Sequence, residues 1–366
     1  MKILLLEPFY EGSHAKWADG YQQFSRHEIR LLTLPGRHWK WRMYGAAVTL
    51  AEQFMAMNFE PDLILATDML GLCTFQALTK KRTAKTPFAI YFHENQITYP
   101  WSPTDEDVQL KRNNQYGFVN YTSSLAADAV VFNSHFHQQS YLEGLVPFLN
   151  QFPDYKNIET IAKIRKKAAV LPLGMDLESL HVAVPSKPME AVLLWNHRWE
   201  YDKNPADFFT ALFQLQAENI PFKVIVLGKS YHKTPAIFAE AKEKLQNEML
   251  HWGYAVSFEE YAALLQQADI LPVTSRQDFF GGSVVEAIYC NCHPILPNRL
   301  AYPEHISEEL RPNFFFEEKE GIYPTLKIAI ENVDSIRERQ NYKNFVAHYD
   351  WRKSVENYDL FFEKIK

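Results

Sequence analysis

Arg198 and Lys203, two cations five positions apart, follow an apolar run over 191–196 that is typical of a buried strand. A guanidinium offers a forked set of donors that matches phosphate geometry, and an ammonium adds a point charge. A helix is predicted to begin directly after them, and its N-terminus adds partial positive charge. These groups together can bind a diphosphate. Glu200 and Asp202 lie between the cations, so the spacing also fits a cluster of surface salt bridges.

Two carboxylates, Asp278 and Glu286, flank the glycine pair Gly281 and Gly282 between a predicted strand and a predicted helix. Asp278 lies in the loop, and Glu286 lies just over one turn into the helix. Carboxylates in these places can accept hydrogen bonds from hydroxyl groups on two parts of one ligand. The local pattern fits a capped helix with a solvated Glu286 equally well.

A glycine, Gly12, follows the first predicted strand at the start of a predicted helix. Glycine lets backbone N–H groups approach an anion at a helix N-terminus, although a tight turn from strand to helix also favours glycine. The sequence contains no G-x-G-x-x-G and no G-x-x-x-x-G-K-[ST] pattern. This argues against a dinucleotide-binding dehydrogenase and against a P-loop NTPase.

Cations and aromatic side chains alternate from Arg37 to Arg42, with Trp39, Lys40 and Trp41 between them. Aromatic rings stack on unpaired bases and cations contact phosphates, a combination that suits RNA loops. The same side chains could stack on sugars or complete a hydrophobic core. These five residues are the candidate contacts with an RNA acceptor.

A D-x-D pattern at Asp105 and Asp107 resembles a metal-binding motif that normally ends an apolar strand. Here it precedes an amphipathic helix, so Thr104 is predicted to be the N-cap, with acidic residues in the first turn. The sequence has no H-E-x-x-H pattern and no paired C-x-x-C pattern. It therefore predicts no metal site.

Short apolar runs alternate with amphipathic stretches along the chain, which is typical of parallel sheets covered by helices. Strands are predicted at 2–7, 28–34, 62–67, 88–93, 129–133, 168–173, 191–196, 222–227, 250–253, 269–273 and 294–296. A Pro-rich connector at 184–188 separates the two series. The sequence predicts two doubly wound α/β domains, 1–185 and 186–345, and a C-terminal helix within 346–366. Ligands bind such sheets at the carboxyl ends of the strands, next to the candidate residues above.

The composition is that of an ordinary globular protein, with 366 residues, 47% hydrophobic, 22% charged and a net charge of −6. Residues 1–185 carry 18 basic and 18 acidic side chains, so the acidic excess lies in the second half. An anionic macromolecule would therefore approach the first half more easily. Three cysteines, a short apolar N-terminal run and no apolar stretch of about 18 residues predict a cytoplasmic protein without a membrane span.

The stretch from Gly253-Tyr254 to Asp278-x7-Glu286 resembles the donor domain of retaining GT-B glycosyltransferases of family 4. Those enzymes have Glu-x7-Glu, so Asp278 shortens the first carboxylate. Motifs along nearly the whole chain resemble, more narrowly, the tRNA-queuosine α-mannosyltransferase family. These motifs are Glu7–His14, Leu34–Arg42, Tyr91–Pro100, Gln115–Gly117, Asp128–Ser134, His197–Lys203, His251–Tyr254 and Asp278–Gly281.

The resemblance implies a GT-B fold, in which two Rossmann-like domains face a central cleft and the last helix returns to the first domain. It implies retaining transfer of mannose from GDP-mannose to queuosine in the anticodon of tRNA-Asp. GDP-mannose is then a co-substrate, and no cofactor or metal is expected. Two alternatives stay open: a GT-B glycosyltransferase with a glycan or lipid acceptor, and an RNA-binding homologue with weakened catalysis.

The resemblance also implies roles for single residues. His93 and Asp278 are the catalytic candidates, His93 at the sugar and acceptor face and Asp278 at the sugar hydroxyls. Arg198, Lys203 and the Gly12 turn would hold the diphosphate. The donor-binding residues that it implies are Gly12, Arg198, Lys203, Gly228, Tyr254, Phe280, Gly281 and Glu286.

Overall fold

The computed structural model describes residues 1–102, 105–183, 186–230, 234–339 and 341–365. The chain forms two compact units. The first comprises Met1–Met175 together with Trp351–Lys366, and the second comprises Asp176–Asp350. The sequence predicted a first boundary after residue 185, ten residues beyond the observed one after Met175. It predicted a second boundary after residue 345, five residues before the observed one after Asp350.

The first unit is built on a six-stranded parallel sheet with the strand order β2-β1-β3-β4-β5-β6. Its strands are β1 (Lys2–Tyr10), β2 (Glu28–Pro35), β3 (Leu63–Thr67), β4 (Phe88–Phe92), β5 (Ala129–Phe132) and β6 (Ala168–Val170). Its helices are α1 (Gly12–Phe24), α2 (Trp39–Ala56), α3 (Leu72–Thr83), α4 (Glu106–Gln109), α5 (Asn114–Ala126), α6 (His135–Asn150) and α7 (Thr160–Lys166). Strands β3, β4 and β5 are buried along their whole length, which explains their uninterrupted apolar sequences.

The second unit repeats this arrangement with the strand order β12-β11-β10-β7-β8-β9. Its strands are β7 (Ala191–Asn196), β8 (Phe222–Leu227), β9 (Met249–Gly253), β10 (Ile270–Pro272), β11 (His293–Pro297) and β12 (Phe315–Phe316). Its helices are α8 (Pro205–Ala217), α9 (Ile237–Lys244), α10 (Phe258–Gln267), α11 (Gly282–Tyr289), α12 (Tyr323–Glu331), α13 (Val333–Arg339) and α14 (Lys343–Val346). Two parallel sheets with helices confirm the predicted α/β fold class. Among the described residues, no helix has the length and apolar character that crossing a bilayer requires.

The last helix, α15 (Trp351–Phe362), belongs to the first unit, as predicted. It begins with Trp351, whose indole fills space that two glycines leave open. A Cβ atom at Gly20 would lie 2.0 Å from the indole nitrogen, and one at Gly174 would lie 2.5 Å from the ring. Further along, the Tyr358 hydroxyl accepts a hydrogen bond from Trp17 Nε1 at 3.2 Å. Because Trp351 is the first residue anchored in this way, the chain rejoins the first unit there.

Candidate functional site

Lys203 is a buried cation at the carboxyl end of the second sheet. It closes a single 3-10 turn, Tyr201–Lys203, and only 6% of the residue is exposed. Its Nζ donates to the Gln277 carbonyl at 2.5 Å and to Asp278 Oδ1 at 2.9 Å. Since the loop before α11 supplies both acceptors, the position of the ammonium depends on that loop.

Arg198 lies closer to solvent, with 46% of its side chain exposed. Its guanidinium is 3.4 Å from Glu200 Oε2 and 3.9 Å from Asp202 Oδ2. Asp202 Oδ2 is also 3.5 Å from Lys203 Nζ, so one carboxylate links the two cations. Both interpretations of the spacing therefore apply: Arg198 takes part in surface ion pairs, and Lys203 forms a buried one.

Asp278 accepts hydrogen bonds at both carboxylate oxygens. Oδ1 accepts from Lys203, and Oδ2 accepts from the Tyr302 hydroxyl at 2.5 Å. Burial raises the pKa of Asp278, but Lys203, His197 and Tyr302 lower it more, so the net pKa lies below the usual value. The carboxylate is therefore charged at neutral pH. Tyr302 follows β11 and stands 24 positions from Asp278, and no motif in the sequence indicates it.

Glu286 is half-buried in α11 and accepts a hydrogen bond from the Tyr261 hydroxyl at 2.5 Å. Asn196, the last residue of β7, donates to Tyr261 at 3.0 Å and to the Ser283 carbonyl at 3.1 Å. The alternative of a solvated Glu286 on a capped helix is wrong, because this carboxylate is half-buried and hydrogen-bonded. Tyr261 and Asn196 belong to the site although sequence reasoning assigned them no role.

Gly228 and Tyr254 follow the neighbouring strands β8 and β9. Gly228 has a φ of +132°, and a Cβ atom there would lie 2.0 Å from the His197 carbonyl oxygen. Its N–H donates to the Gly253 carbonyl at 3.2 Å, and Tyr254 comes next, 74% exposed. In a parallel sheet these strand ends share one edge with Lys203.

Phe280 and Gly281 form the loop before α11. The Phe280 ring is buried, 5.2 Å from His305 and 5.0 Å from Tyr349 between centroids. The Phe280 carbonyl accepts from His305 Nε2 at 2.7 Å, so the second unit uses that acceptor itself. Gly281 has a φ of +84° as the N-cap of α11, whose first turn has no acidic residue and no side-chain cap within the described chain. The backbone N–H groups at the start of α11 can therefore face an anion.

In the first unit, Gly12 begins α1 with a φ of +56°. Apart from its chain neighbours and the backbone of α1, no described atom lies within 4 Å of the position that a Cβ atom would take there. The N-cap residue, Glu11, has no side-chain capping bond among the described residues. The turn between β1 and α1 therefore leaves open space beside backbone N–H groups.

His93 follows β4 and lies in a cluster of ionisable side chains. Its backbone N–H donates to Asp68 Oδ1 at 2.8 Å, and its ring centroid is 4.2 Å from that of His14. His14 Nδ1 is 3.1 Å from Glu7 Oε2, and the other Glu7 oxygen accepts from the Phe9 N–H at 2.8 Å. Three strand ends, of β1, β3 and β4, bring this cluster together.

Burial and charge set different protonation states within the cluster. Burial lowers the pKa of His14, but the Glu7 carboxylate raises it more, to about 9. Burial and the neighbouring His14 hold the pKa of His93 well below its usual value. At neutral pH an imidazolium therefore lies against a neutral imidazole, and His93 Nε2 has no hydrogen-bond partner among the described residues.

Glu7, His14 and His93 also have the composition of a metal site, since one ligand atom from each lies within 4.8 Å of the others. His14 already directs Nδ1 towards Glu7, and its raised pKa of about 9 favours a proton over a metal at the ring. The geometry fits a hydrogen-bonded ion pair. That the reaction needs no metal stays a prediction.

The D-x-D carboxylates form an ion-paired helix cap. Asp105 Oδ1 accepts from the Asp107 N–H at 2.9 Å, which makes Asp105 the N-cap of α4. Lys40 Nζ donates to Asp105 at 2.7 Å and to Asp107 at 2.6 Å. Lys40 is therefore neutralised by two carboxylates. The predicted N-cap, Thr104, lies outside the described residues.

The two indoles of the Arg37–Arg42 segment differ in exposure. Trp39, the first residue of α2, packs half-buried with its ring centroid 5.1 Å from that of Tyr116. Trp41 is 64% exposed, and its indole covers Gly45, where a Cβ atom would lie 2.4 Å from Cε2. The glycine thus lets the indole lie against the helix with much of its surface open.

The two arginines of the segment differ in the same way. Arg37 is exposed. Arg42 donates from Nε and Nη2 to the Pro35 carbonyl at 3.2 and 3.1 Å, which ties it to the end of β2. Of the five candidate contacts, Arg37 and Trp41 are therefore the most open to a ligand.

Comparison with known proteins supports two assignments. Residues 2–175 match the family model described as the N-terminal region of tRNA-queuosine alpha-mannosyltransferase, and residues 178–342 match the one described as glycosyl transferases group 1. The chain is 35% identical over 317 residues to the tRNA-queuosine alpha-mannosyltransferase of Drosophila melanogaster, covering 84% of this chain and 82% of the relative.

Two more distant proteins are also similar. The GDP-mannose:cellobiosyl-diphosphopolyprenol alpha-mannosyltransferase of Xanthomonas campestris is 23% identical over 193 residues, which is 52% of this chain and 50% of that protein. The structure of sucrose-phosphate synthase from Thermosynechococcus elongatus has a TM-score of 0.72 at 13% identity, over 100% of this chain and 98% of that one. That likeness concerns the fold, which is GT-B. The chain is a glycosyltransferase and belongs to the tRNA-queuosine alpha-mannosyltransferase family.

Proposed function

We propose that this enzyme transfers mannose from GDP-mannose to queuosine in the anticodon of tRNA-Asp, with retention of configuration. The name of the Drosophila relative points to queuosine in tRNA as the mannosylated group. The name of the Xanthomonas relative points to GDP-mannose as the donor. The observation that carries the proposal is the buried Lys203 beside Arg198 at the end of β7, in a chain of this family.

Stabilising the departing GDP is the main task of such an enzyme. As the glycosidic bond breaks, negative charge grows on the diphosphate and positive charge grows on the sugar. Lys203 and Arg198 supply fixed cations for the diphosphate, and the open turn at Gly12 supplies N–H groups. Glu286, held by Tyr261, accepts hydrogen bonds from the ribose hydroxyls. Because Lys203 and Glu286 are each held by hydrogen bonds within the second unit before the donor binds, these two side chains need little reorganisation during the reaction.

The sugar and the base require further groups. In this proposal the neutral His93, whose Nε2 lacks a partner among the described residues, exchanges a hydrogen bond with the sugar or the acceptor. The loop of Asp278, Phe280 and Gly281 faces the sugar at the start of α11. Tyr254, exposed after β9, lies with Gly228 at the base. No step in this scheme uses a metal or a cofactor.

The acceptor is proposed to reach the Arg37–Arg42 segment of the first unit, the half of the chain without an acidic excess. The open surface of Trp41 can stack on an unpaired base, and Arg37 can contact phosphate. With tRNA as the acceptor, and with Cys73, Cys290 and Cys292 all free, we place the reaction in the cytoplasm.

The decisive experiment incubates the purified enzyme with GDP-mannose and two preparations of tRNA-Asp, one with queuosine and one without. Mass spectrometry of the digested tRNA should show the gain of one hexose on queuosine in the first preparation only. Lys203→Met serves as the inactive control, and UDP-glucose replaces the donor in a parallel reaction. A hexose gain with UDP-glucose but not with GDP-mannose would mean that UDP-glucose is the donor and GDP-mannose is not. No gain with either donor would refute the proposed acceptor.

A further inference from the structure

Tyr302 is connected through Asp278 to Lys203, one of the two cations proposed to bind the diphosphate. The proposed function gives this tyrosine no role. It follows β11 as the first residue of a 3-10 turn, Tyr302–Glu304, and it is fully buried. Its hydroxyl donates to Asp278 Oδ2 at 2.5 Å, and Asp278 Oδ1 accepts from Lys203 Nζ at 2.9 Å. A continuous chain of hydrogen bonds thus runs from a buried phenol to the buried ammonium.

We infer that Tyr302 is a positioning residue for the donor, and that Asp278 acts on the diphosphate through Lys203 rather than on a sugar hydroxyl. The inference rests on the proposed function, in which Lys203 binds the diphosphate. It assigns to Tyr302 a role that sequence motifs do not indicate. It also changes the role of Asp278 from a ligand of the sugar to a support for the cation.

The geometry around Asp278 favours this role. An aspartate is one methylene shorter than glutamate, and both oxygens of Asp278 already accept hydrogen bonds from within the second unit. A buried ammonium needs a nearby negative charge, because an unpaired buried charge is costly. Asp278 supplies the nearer charge, at 2.9 Å against 3.5 Å for Asp202, and Tyr302 keeps the Asp278 carboxylate from rotating away. The pKa of Asp278, below its usual value, agrees with a carboxylate that stays charged beside Lys203.

The backbone near Tyr302 is adapted to its ring. A Cβ atom at Gly281 would lie 3.0 Å from Tyr302 Cε1. With a φ of +84°, Gly281 also has a backbone conformation that favours glycine. Gly281 therefore has two roles: it is the N-cap residue of α11, and its lack of a side chain leaves room for the Tyr302 ring, whose hydroxyl holds Asp278.

Tyr302→Phe tests the inference, because it removes one hydroxyl and keeps the ring. Tyr342→Phe is the matched control: it is another buried tyrosine of the same unit, whose hydroxyl contacts His293 at 3.0 Å. Titration calorimetry or competition measures the affinities for guanosine, GDP and GDP-mannose. A hydrogen bond to a charged group is worth enough to expect GDP and GDP-mannose to bind Tyr302→Phe about 10-fold more weakly. Guanosine, which has no phosphate, should bind unchanged, and the control should bind all three as wild type does.

Each other outcome overturns a different statement. A loss for GDP-mannose but not for GDP would mean that Asp278 acts on the sugar. Equal losses for all three probes would mean that Tyr302 is merely structural, and wild-type affinity throughout would mean that it has no role. Lys203→Met separates the proposed function from the inference. If that variant binds GDP as wild type does, the diphosphate site itself is wrong; if it loses binding while Tyr302→Phe does not, only the inference fails.

Discussion

Replacing Trp41 by alanine tests the acceptor surface, since this indole is exposed and Trp39 is packed. Base stacking on an aromatic side chain is worth about 1–3 kcal/mol, so Trp41→Ala should raise the Kd for queuosine-containing tRNA about 5- to 150-fold. Because 64% of Trp41 is exposed, its loss should change the free energy of unfolding by about 0.5 kcal/mol or less. Trp39→Ala removes a half-buried ring beside Tyr116 and should cost about 3 kcal/mol of stability.

Gly45→Ala moves the indole without removing it. The added Cβ atom would lie 2.4 Å from Trp41 Cε2, so the ring must leave its place on the helix. Alanine inside a helix is favoured over glycine by about 1 kcal/mol, so the variant should not lose stability through the backbone. We therefore expect weaker tRNA binding together with equal or higher stability. No general damage to the fold would produce that pair of results.

The assay measures three quantities on each purified variant: tRNA affinity by filter binding, GDP affinity, and the free energy of unfolding in urea. Wild-type tRNA binding should weaken as salt rises, because phosphate contacts release counterions. Trp41→Ala should lower tRNA affinity alone. An unchanged tRNA affinity in Trp41→Ala, or equal losses in all three quantities, would refute the stacking role and leave the acceptor surface unassigned.

Four further predictions concern the donor site, the need for a metal and the histidine cluster. Arg198→Ala should lower kcat/KM about 100- to 1000-fold without loss of stability, because its side chain is 46% exposed; a wild-type rate would contradict the diphosphate clamp. Lys203→Ala should lose stability as well as activity, because it leaves the half-buried Asp278 and the buried Asp202 without this cation, and urea unfolding should show that the added change Asp278→Asn restores part of the stability but not the activity. Activity should survive EDTA, whereas a loss that manganese or magnesium reverses would show a metal site. His14 has a pKa of about 9 when folded and near 6.5 when unfolded, so its stabilisation is complete below pH 6.5, is worth about 3 kcal/mol, and is lost as pH rises through 9. Urea unfolding at both ends of this range should show a larger loss in wild type than in His14→Gln, because Asp68, whose pKa burial raises to about 8, adds its own loss in both proteins.

The sequence by itself indicated eleven of the twelve strands of the described chain, missing only the two-residue β12, and it predicted the places where a ligand would bind. The runs 63–67 and 191–196 are buried on both faces of a sheet, so their sequences are almost continuously apolar. This pattern can be recognised without knowing which strands lie beside them. Residues directly after such strands lie at the ligand-binding edge of a parallel sheet. Arg198 and Lys203 can therefore be selected from residue types and spacing alone.

The tertiary structure alone decided which of the selected side chains are open to a ligand. Lys40 pairs with Asp105, 65 positions away, and so is not a free cation for RNA. Asp278 meets Tyr302, and His14 meets His93, only because separate strand ends lie side by side. Trp39 and Trp41 lie on different faces of α2, about 200° apart around its axis, and the packing of Trp39 against Tyr116 shows which of these faces points inward. Such partners are distant in the chain, and a local pattern of residue types carries no information on contacts that the arrangement of strands creates.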